Sequence, residues 1–268
     1  MRYFKQYGCK RTGTNYLRAL LQRNFADVNV LMHTLGGKHE APVDLKSLLN
    51  DYQDDPISFV ALATQAHPAE TTRPFDNEQL TFIKNNAVAL ADAVANNQIH
   101  YLISIKNPYA WINSNKDIYS WINQNYQDIL NSHGGHTLTS RTELLTKLKC
   151  REFNSLYRSY FELYKKFPEQ STIIRYEDIL ANPAGFLKDL SEKLRLCPLS
   201  PIFSDVTGKT VATGWDQTYA KDETNEFSKE YYLKEKYIVD LPISLIDILE
   251  NEIDWDLMKN YNYYRRKC

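Results

Sequence analysis

Apolar residues in this 268-residue chain fall in short runs, separated by longer stretches with helical spacing. Arg2–Tyr7 reads as a strand. Over Thr14–Phe25 the residues Tyr16, Leu17, Leu20, Leu21 and Phe25 share one face of a helix. Val28–His33 reads as a second strand and Ser58–Ala63 as a third. Glu78–Ala95 has a helical pattern. Ile99–Ile105 alternates little, as expected of a strand buried on both faces. Pro108 opens a helix with Asn107 as its cap. Arg141–Phe167 predicts one long helix or two, Thr172–Arg175 a further buried strand and Pro183–Leu194 a further helix. Beyond Gly208 the pattern weakens: Gly208–Tyr219 reads as a polar loop, and Asn225–Tyr237 and Ser244–Tyr261 as helices.

Strands alternating with helices predict an α/β fold in three layers, a parallel sheet with helices on both faces. The expected unit is one domain over residues 1–268, with a nucleotide-binding core over about 1–215 and a helical C-terminal part over about 225–268. In such sheets ligands bind at the carboxyl ends of the strands, so functional residues are expected just after them.

Composition narrows the partners. With 32 basic and 33 acidic residues the net charge is −1, which argues against nucleic-acid binding and a polybasic membrane anchor. The chain has no apolar run of membrane-spanning length and no signal-peptide core near Met1, so a cytoplasmic protein without stable membrane insertion is expected. Cys9, Cys150, Cys197 and Cys268 show no zinc spacing and are expected as reduced thiols.

The chemistry concentrates after the first strand, in Gly8-Cys9-Lys10-Arg11-Thr12-Gly13-Thr14-Asn15. Gly8 and Gly13 have the G-x-x-x-x-G spacing of a phosphate-binding loop, and Lys10 and Arg11 add positive charge at a helix N-terminus. A Walker A loop continues Gly-Lys-Ser/Thr, with the hydroxyl on magnesium. Here Thr14 and Asn15 stand in those places, which suits a phosphate held without a metal.

Lys10-Arg11-Thr12-Gly13-Thr14-Asn15-Tyr16-Leu17 resembles the 5′-phosphosulfate loop of sulfotransferases that use 3′-phosphoadenosine 5′-phosphosulfate (PAPS). Three later segments are similar to that family's in the same order. Lys106-Asn107-Pro108, with Ser114 eight residues after the lysine, resembles the family's Arg-Asn-Pro and serine, which bind the nucleotide 3′-phosphate. Arg175-Tyr176-Glu177-Asp178, followed by Asn182-Pro183, resembles a strand end that sets a tyrosine near the adenine; Glu177 and Asp178 read as helix N-terminal charges. Lys209 with Thr213-Gly214-Trp215-Asp216 resembles a closing loop, implying Lys209 as a further 3′-phosphate contact. The resemblance implies a P-loop-like sulfotransferase fold, PAPS as donor, and donor contacts from Arg11, Thr12, Gly13, Thr14, Asn15, Tyr16, Lys106, Ser114, Tyr176 and Lys209.

Sulfuryl transfer needs positive charge on the transferred group and leaving phosphate, and a base for the acceptor's proton. Arg11 and Lys10 are assigned the first role. His39, in Leu35-Gly36-Gly37-Lys38-His39-Glu40, is the expected base; the family's stretch is Lys-x-His, whereas Lys38 and His39 are adjacent. Glu40 is the alternative. His133-Gly134-Gly135-His136 reads as a loop at the acceptor cleft rather than a metal site, and no metal is expected. The acceptor, a saccharide or small molecule, is left open, with Glu40–Asn77 and Ile118–Thr139 as candidate substrate loops and Trp111, Trp121 and Trp215 as candidate ring-stacking side chains. The competing readings are a P-loop kinase or nucleotide hydrolase, and a non-catalytic nucleotide- or glycan-binding relative.

Overall fold

A computed structural model describes residues 2–65, 75–115, 138–206, 208–212, 220–226 and 228–266; for 138–142, 208–212 and 220–226 the description is of the backbone. Four strands, β1 (Arg2–Tyr7), β2 (Val28–Leu31), β3 (Ile99–Ile105) and β4 (Ser171–Arg175), form one sheet in the order β2-β1-β3-β4. Every pair in it is parallel, with Tyr3 opposite Asn29 and Ile99, and Tyr101 opposite Ser171.

Alternation along the strands separates two cores. Phe4, Val30, Leu102 and Ile174 face a layer built on Leu17, Leu20 and Leu21 of α1 (Thr14–Asn24), with Ile179 and Leu187. Tyr7, Leu31, Tyr101, Ile103 and Ile105 face the other layer. That layer contains α2 (Leu45–Asp51), α3 (Pro56–Gln65), α4 (Asn77–Ala95), α5 (Pro108–Asn113) and α6 (Leu138–Lys166). The fold is therefore α/β, with helices on both faces of a parallel sheet. The short α7 (Tyr176–Ala181) and α8 (Pro183–Leu194) follow β4.

Four expectations are corrected. Ser58–Ala63 is the middle of α3, because the side chain of Asp55 accepts a hydrogen bond from the Ser58 amide at 3.0 Å and Pro56 occupies the first turn. Its apolar run buries Phe59, Val60 and Ala63, spaced to share one helical face. Gly208–Tyr219 opens not as a loop but as strand β5 (Gly208–Ala212), paired antiparallel with β6 (Ala220–Glu226). The helix expected over Asn225–Tyr237 is confined to α9 (Lys229–Leu233) and a 3₁₀ turn at Lys236–Ile238, since Asn225 and Glu226 belong to β6. Ser244–Tyr261 is two helices, α10 (Ile243–Glu252) and α11 (Trp255–Lys259), with Asp254 capping the second through the Leu257 amide at 3.0 Å.

The order in which strands are added to the sheet reverses at β1: β2 lies to one side of it, and β3 and β4 to the other. At such a switch point the two following connections diverge and leave a crevice at the strand ends. Gly8 and Lys106 follow those two strands.

Candidate functional site

The loop after β1 is shaped by two glycines. A Cβ on Gly8 would lie 2.7 Å from the Ser104 carbonyl oxygen and 2.7 Å from Thr12 Oγ1. Thr12 donates twice to the Cys9 carbonyl, from its amide at 3.2 Å and its hydroxyl at 2.7 Å, so the chain curls back on itself. Arg11 and Gly13 both have left-handed φ, 69° and 80°. Gly13 is the N-cap of α1 and supplies no capping side chain. A Cβ there would meet the Tyr176 ring at 2.3 Å, so the loop packs directly on that ring. Gln6 Nε2 holds the start of α1 through the Thr14 carbonyl at 2.9 Å. Lys10 and Arg11 remain exposed on the outer rim.

Lys106 closes the crevice from β3. Its ammonium donates to Ser114 Oγ at 2.7 Å and to the Arg11 carbonyl at 3.3 Å. Asn107 caps α5 through the Tyr109 amide at 2.9 Å, and the helix brings Ser114 back over the lysine from eight residues away. The ammonium lies 4.7 Å from the Tyr176 ring centroid and 4.3 Å from that of Tyr232. Only 2% of Lys106 is exposed, and burial lowers its pKa to about 7, with Arg11 adding to the fall and Glu177 opposing it. Glu177 accepts from the Asn107 amide at 3.0 Å and from the Tyr263 hydroxyl at 2.6 Å, so it ties the β3 and β4 turns together rather than facing solvent at a helix start.

The loop after β2 approaches from the other side of β1. Gly8 donates its amide to the Lys38 carbonyl at 2.8 Å, and its own carbonyl lies 2.6 Å from His39 Nδ1. A carbonyl only accepts, so Nδ1 carries the proton and Nε2 keeps a lone pair. His39 is held neutral: its pKa falls to about 3, first through burial, then through the Lys38 and Lys10 charges. Glu40 turns back on its own loop, accepting from the Gly37 amide at 2.9 Å. Lys38 is buried and donates to Asn15 Oδ1 at 2.7 Å, joining this loop to the first turn of α1. His39 and Lys10 line a narrow cleft walled by Trp111, Phe153 and Leu156, with Lys149 and Glu152 paired on α6. Trp111 donates to the Lys10 carbonyl at 3.1 Å and packs on Phe153, so it supports the loop as well as the cleft.

The loop that carries Lys10, Arg11, Thr12, Gly13, Thr14, Asn15 and Tyr16 thus meets Lys106 at the Arg11 carbonyl and Tyr176 at Gly13, while Ser114 accepts from Lys106 and His39 bonds to Gly8 beside the cleft lined by α6. Tyr16 donates to Asp205 at 3.2 Å, and Asp205 also holds Lys229 at 2.5 Å. Lys209 lies on β5 by its backbone. Trp121, His133, His136, Trp215 and the Thr213–Asp216 segment lie outside the described residues, as does most of Ile118–Thr139. Tyr232 and Lys38 were not singled out in the sequence. Tyr232 sits in a stretch read only as helix, and Lys38 had a detectable signal in standing beside a candidate base. Among the described residues no three His, Cys, Asp or Glu side chains cluster as metal ligands, and no helix is long and apolar enough to cross a membrane.

No protein-family model and no curated protein matches the sequence. Among solved structures the chain is similar to the sulfotransferase domain from the curacin biosynthetic pathway, at 14% identity and a TM-score of 0.46, over 99% of this chain and 98% of that one.

Proposed function

We propose that the chain is a PAPS-dependent sulfotransferase that acts, without a metal, on a hydroxyl or amine of a saccharide or small-molecule acceptor. The observation that carries this reading is the meeting of Lys106, Ser114 and Tyr176 beside the Gly8–Gly13 loop. Two cation-and-hydroxyl sets lie at the ends of adjacent strands, with an aromatic ring between them. That arrangement suits a nucleotide with anionic groups at two positions. A buried ammonium whose pKa has already fallen to about 7 gains from an incoming phosphate, which would restore its full charge. The Tyr232 ring covers this ammonium, so an anion reaching it displaces that ring.

In the proposed reaction the acceptor oxygen or nitrogen attacks sulfur, and the bond from sulfur to the bridging phosphate oxygen breaks. The acceptor's proton passes to His39 Nε2, whose ring is oriented by the bond from Nδ1 to the Gly8 carbonyl. The departing phosphate takes the bonding electrons, and Arg11 and Lys10 meet its charge. Arg11 stays protonated at neutral pH and so acts by charge alone. The donor's negative charge offsets the Lys38 and Lys10 contributions that depress His39, raising its basicity when the donor is bound.

The test is calorimetric binding of 3′,5′-adenosine bisphosphate without magnesium, to the wild type and to Lys106→Ala/Ser114→Ala. A loss of more than about 2 kcal/mol in the variant supports the reading. Absent binding, or binding indifferent to both substitutions, sinks it. A strict magnesium requirement would favour the kinase or hydrolase reading.

A further inference from the structure

Lys5 is a charged residue in the middle of β1, flanked by Phe4 and Gln6, and it is completely buried. Its side chain leaves β1 on the same face as Tyr7, with the ammonium 5.2 Å from that ring's centroid. The ammonium donates to three carbonyls of the segment after β2: Met32 at 3.2 Å, Thr34 at 3.0 Å, and Gly36. An ammonium has three hydrogens and the segment offers three acceptors. These carbonyls converge because Leu35 and Gly36 both adopt left-handed φ, 62° and 101°, which turns the chain around the cation. Leu35 has a side chain, so its left-handed conformation is strained relative to an ordinary one.

The same segment returns to β1 three residues beyond Lys5. There Gly8 donates to the Lys38 carbonyl and accepts from His39 Nδ1. One strand therefore grips the segment twice, at its start through Lys5 and at its end through Gly8. Between the grips lie the strained turn and Lys38, which reaches Asn15. A leucine or methionine at position 5 would fill the volume at lower desolvation cost, but it would leave three carbonyls pointing at hydrocarbon.

We propose that Lys5 is a positioning residue: its ammonium organises the 32–39 segment so that His39 and Lys38 are held at the carboxyl end of β1. This rests on the reading of His39 as the acceptor's base. Lys5 touches neither reacting group and lies on the opposite side of β1 from the β3 contacts made by Lys106. Its loss should therefore reduce turnover while leaving nucleotide affinity in place.

The experiment is Lys5→Ala, measured three ways. Turnover with PAPS and an accepted substrate should fall by roughly 30–100-fold, the scale of an ångström-sized misplacement. The affinity for 3′,5′-adenosine bisphosphate should stay within about 3-fold, because the phosphate contacts proposed for β3 lie outside this segment and the Gly8–Gly13 loop keeps its own bonds from Thr12 to Cys9 and from Gln6 to Thr14. Methylammonium, which can refill the carbonyl nest, should restore part of the turnover; tetramethylammonium at equal ionic strength, with no hydrogen to donate, should not. A third readout is independent of any reaction. The His39 Nδ1 proton, bonded to Gly8, should appear as a slowly exchanging imidazole resonance in the wild type, vanish in Lys5→Ala and return with methylammonium. Its persistence in the variant overturns the positioning role even if the protein transfers no sulfuryl group. Nucleotide affinity falling in step with turnover would also overturn it, making Lys5 merely structural. If Lys5→Ala does not fold, the wild-type Lys5 ammonium is followed by NMR: exchange at the solvent rate refutes the clamp, and protected exchange supports it.

Discussion

Lys106 should make nucleotide affinity depend on pH in a way that no exposed lysine could. Buried beneath Tyr176 and Tyr232, its ammonium has a pKa near 7 before any ligand arrives. A phosphate in contact with it favours the charged form and raises that pKa, so binding above pH 7 must take up a proton. The sign follows directly: affinity is flat where Lys106 is already protonated and falls as pH rises through 7. Each further unit costs a factor of ten, about 1.4 kcal/mol, so between the plateau and pH 9 the affinity for 3′,5′-adenosine bisphosphate should weaken by roughly 100-fold. The window is set above 7 because a phosphate monoester finishes its own second ionisation near pH 6. Calorimetry in two buffers of different ionisation enthalpy should count the proton, approaching one per nucleotide at pH 8–9. Lys106→Met should bind weakly and with a flat profile, whereas Tyr232→Ala, by letting water reach the ammonium, should move the break above pH 7. A wild-type profile that is flat from 7 to 9, or an equal slope in Lys106→Met, would refute the reasoning.

Other consequences can be checked on the same protein. His39→Ala should cut transfer by about 10²–10⁴-fold with little change in bisphosphate affinity. Glu40→Gln should keep most of the rate, since the amide oxygen can still accept from Gly37; the reverse ranking in a sulfate-transfer assay would move the base to Glu40. Gly13→Ala should destabilise the fold by about 2–4 kcal/mol in urea denaturation, combining a left-handed φ with a clash against Tyr176. His39 and His100 are half-buried, and desolvation lowers their pKa values to about 3 and about 4, so the unfolded chain binds the more protons below the ordinary histidine pKa near 6.5. Stability should accordingly decline as pH falls from about 6.5 towards 4, and His100→Gln, which can still reach Thr172, should flatten part of that slope in thermal melts.

The chain's local patterning was enough to identify β1, β3, β4, α1 and α8, because each short apolar run or helical period ends at a local signal such as Gly13, Asn107-Pro108 or Asn182-Pro183. The loop chemistry was legible for the same reason: residues 8–16 are contiguous, and the eight-residue interval from Lys106 to Ser114 spans a single short helix. The segment Ser58–Ala63 misled because an unbroken apolar run has no period; the deciding signal was the Asp55-Pro56 cap just before it. Over Gly208–Glu226 the chain is largely polar, so pairing between β5 and β6, rather than hydrophobic alternation, defines the strands.

Tertiary structure decided the relations between segments distant in sequence. Which strands flank β1 placed Gly8 and Lys106 at one crevice, and no spacing in the sequence encodes that order. Burial turned Lys106 from a generic cation into one that titrates near neutrality, because desolvation depends on Tyr176 and Tyr232, about 70 and 126 positions away. The same holds for Lys5. Its charge within a strand is visible in the sequence, but the three carbonyls that accept from it converge only once β2 pairs beside β1 and the chain turns at Leu35 and Gly36. Residue identity and short-range order set what each group can do chemically; long-range packing sets its partners, its solvation and therefore its charge.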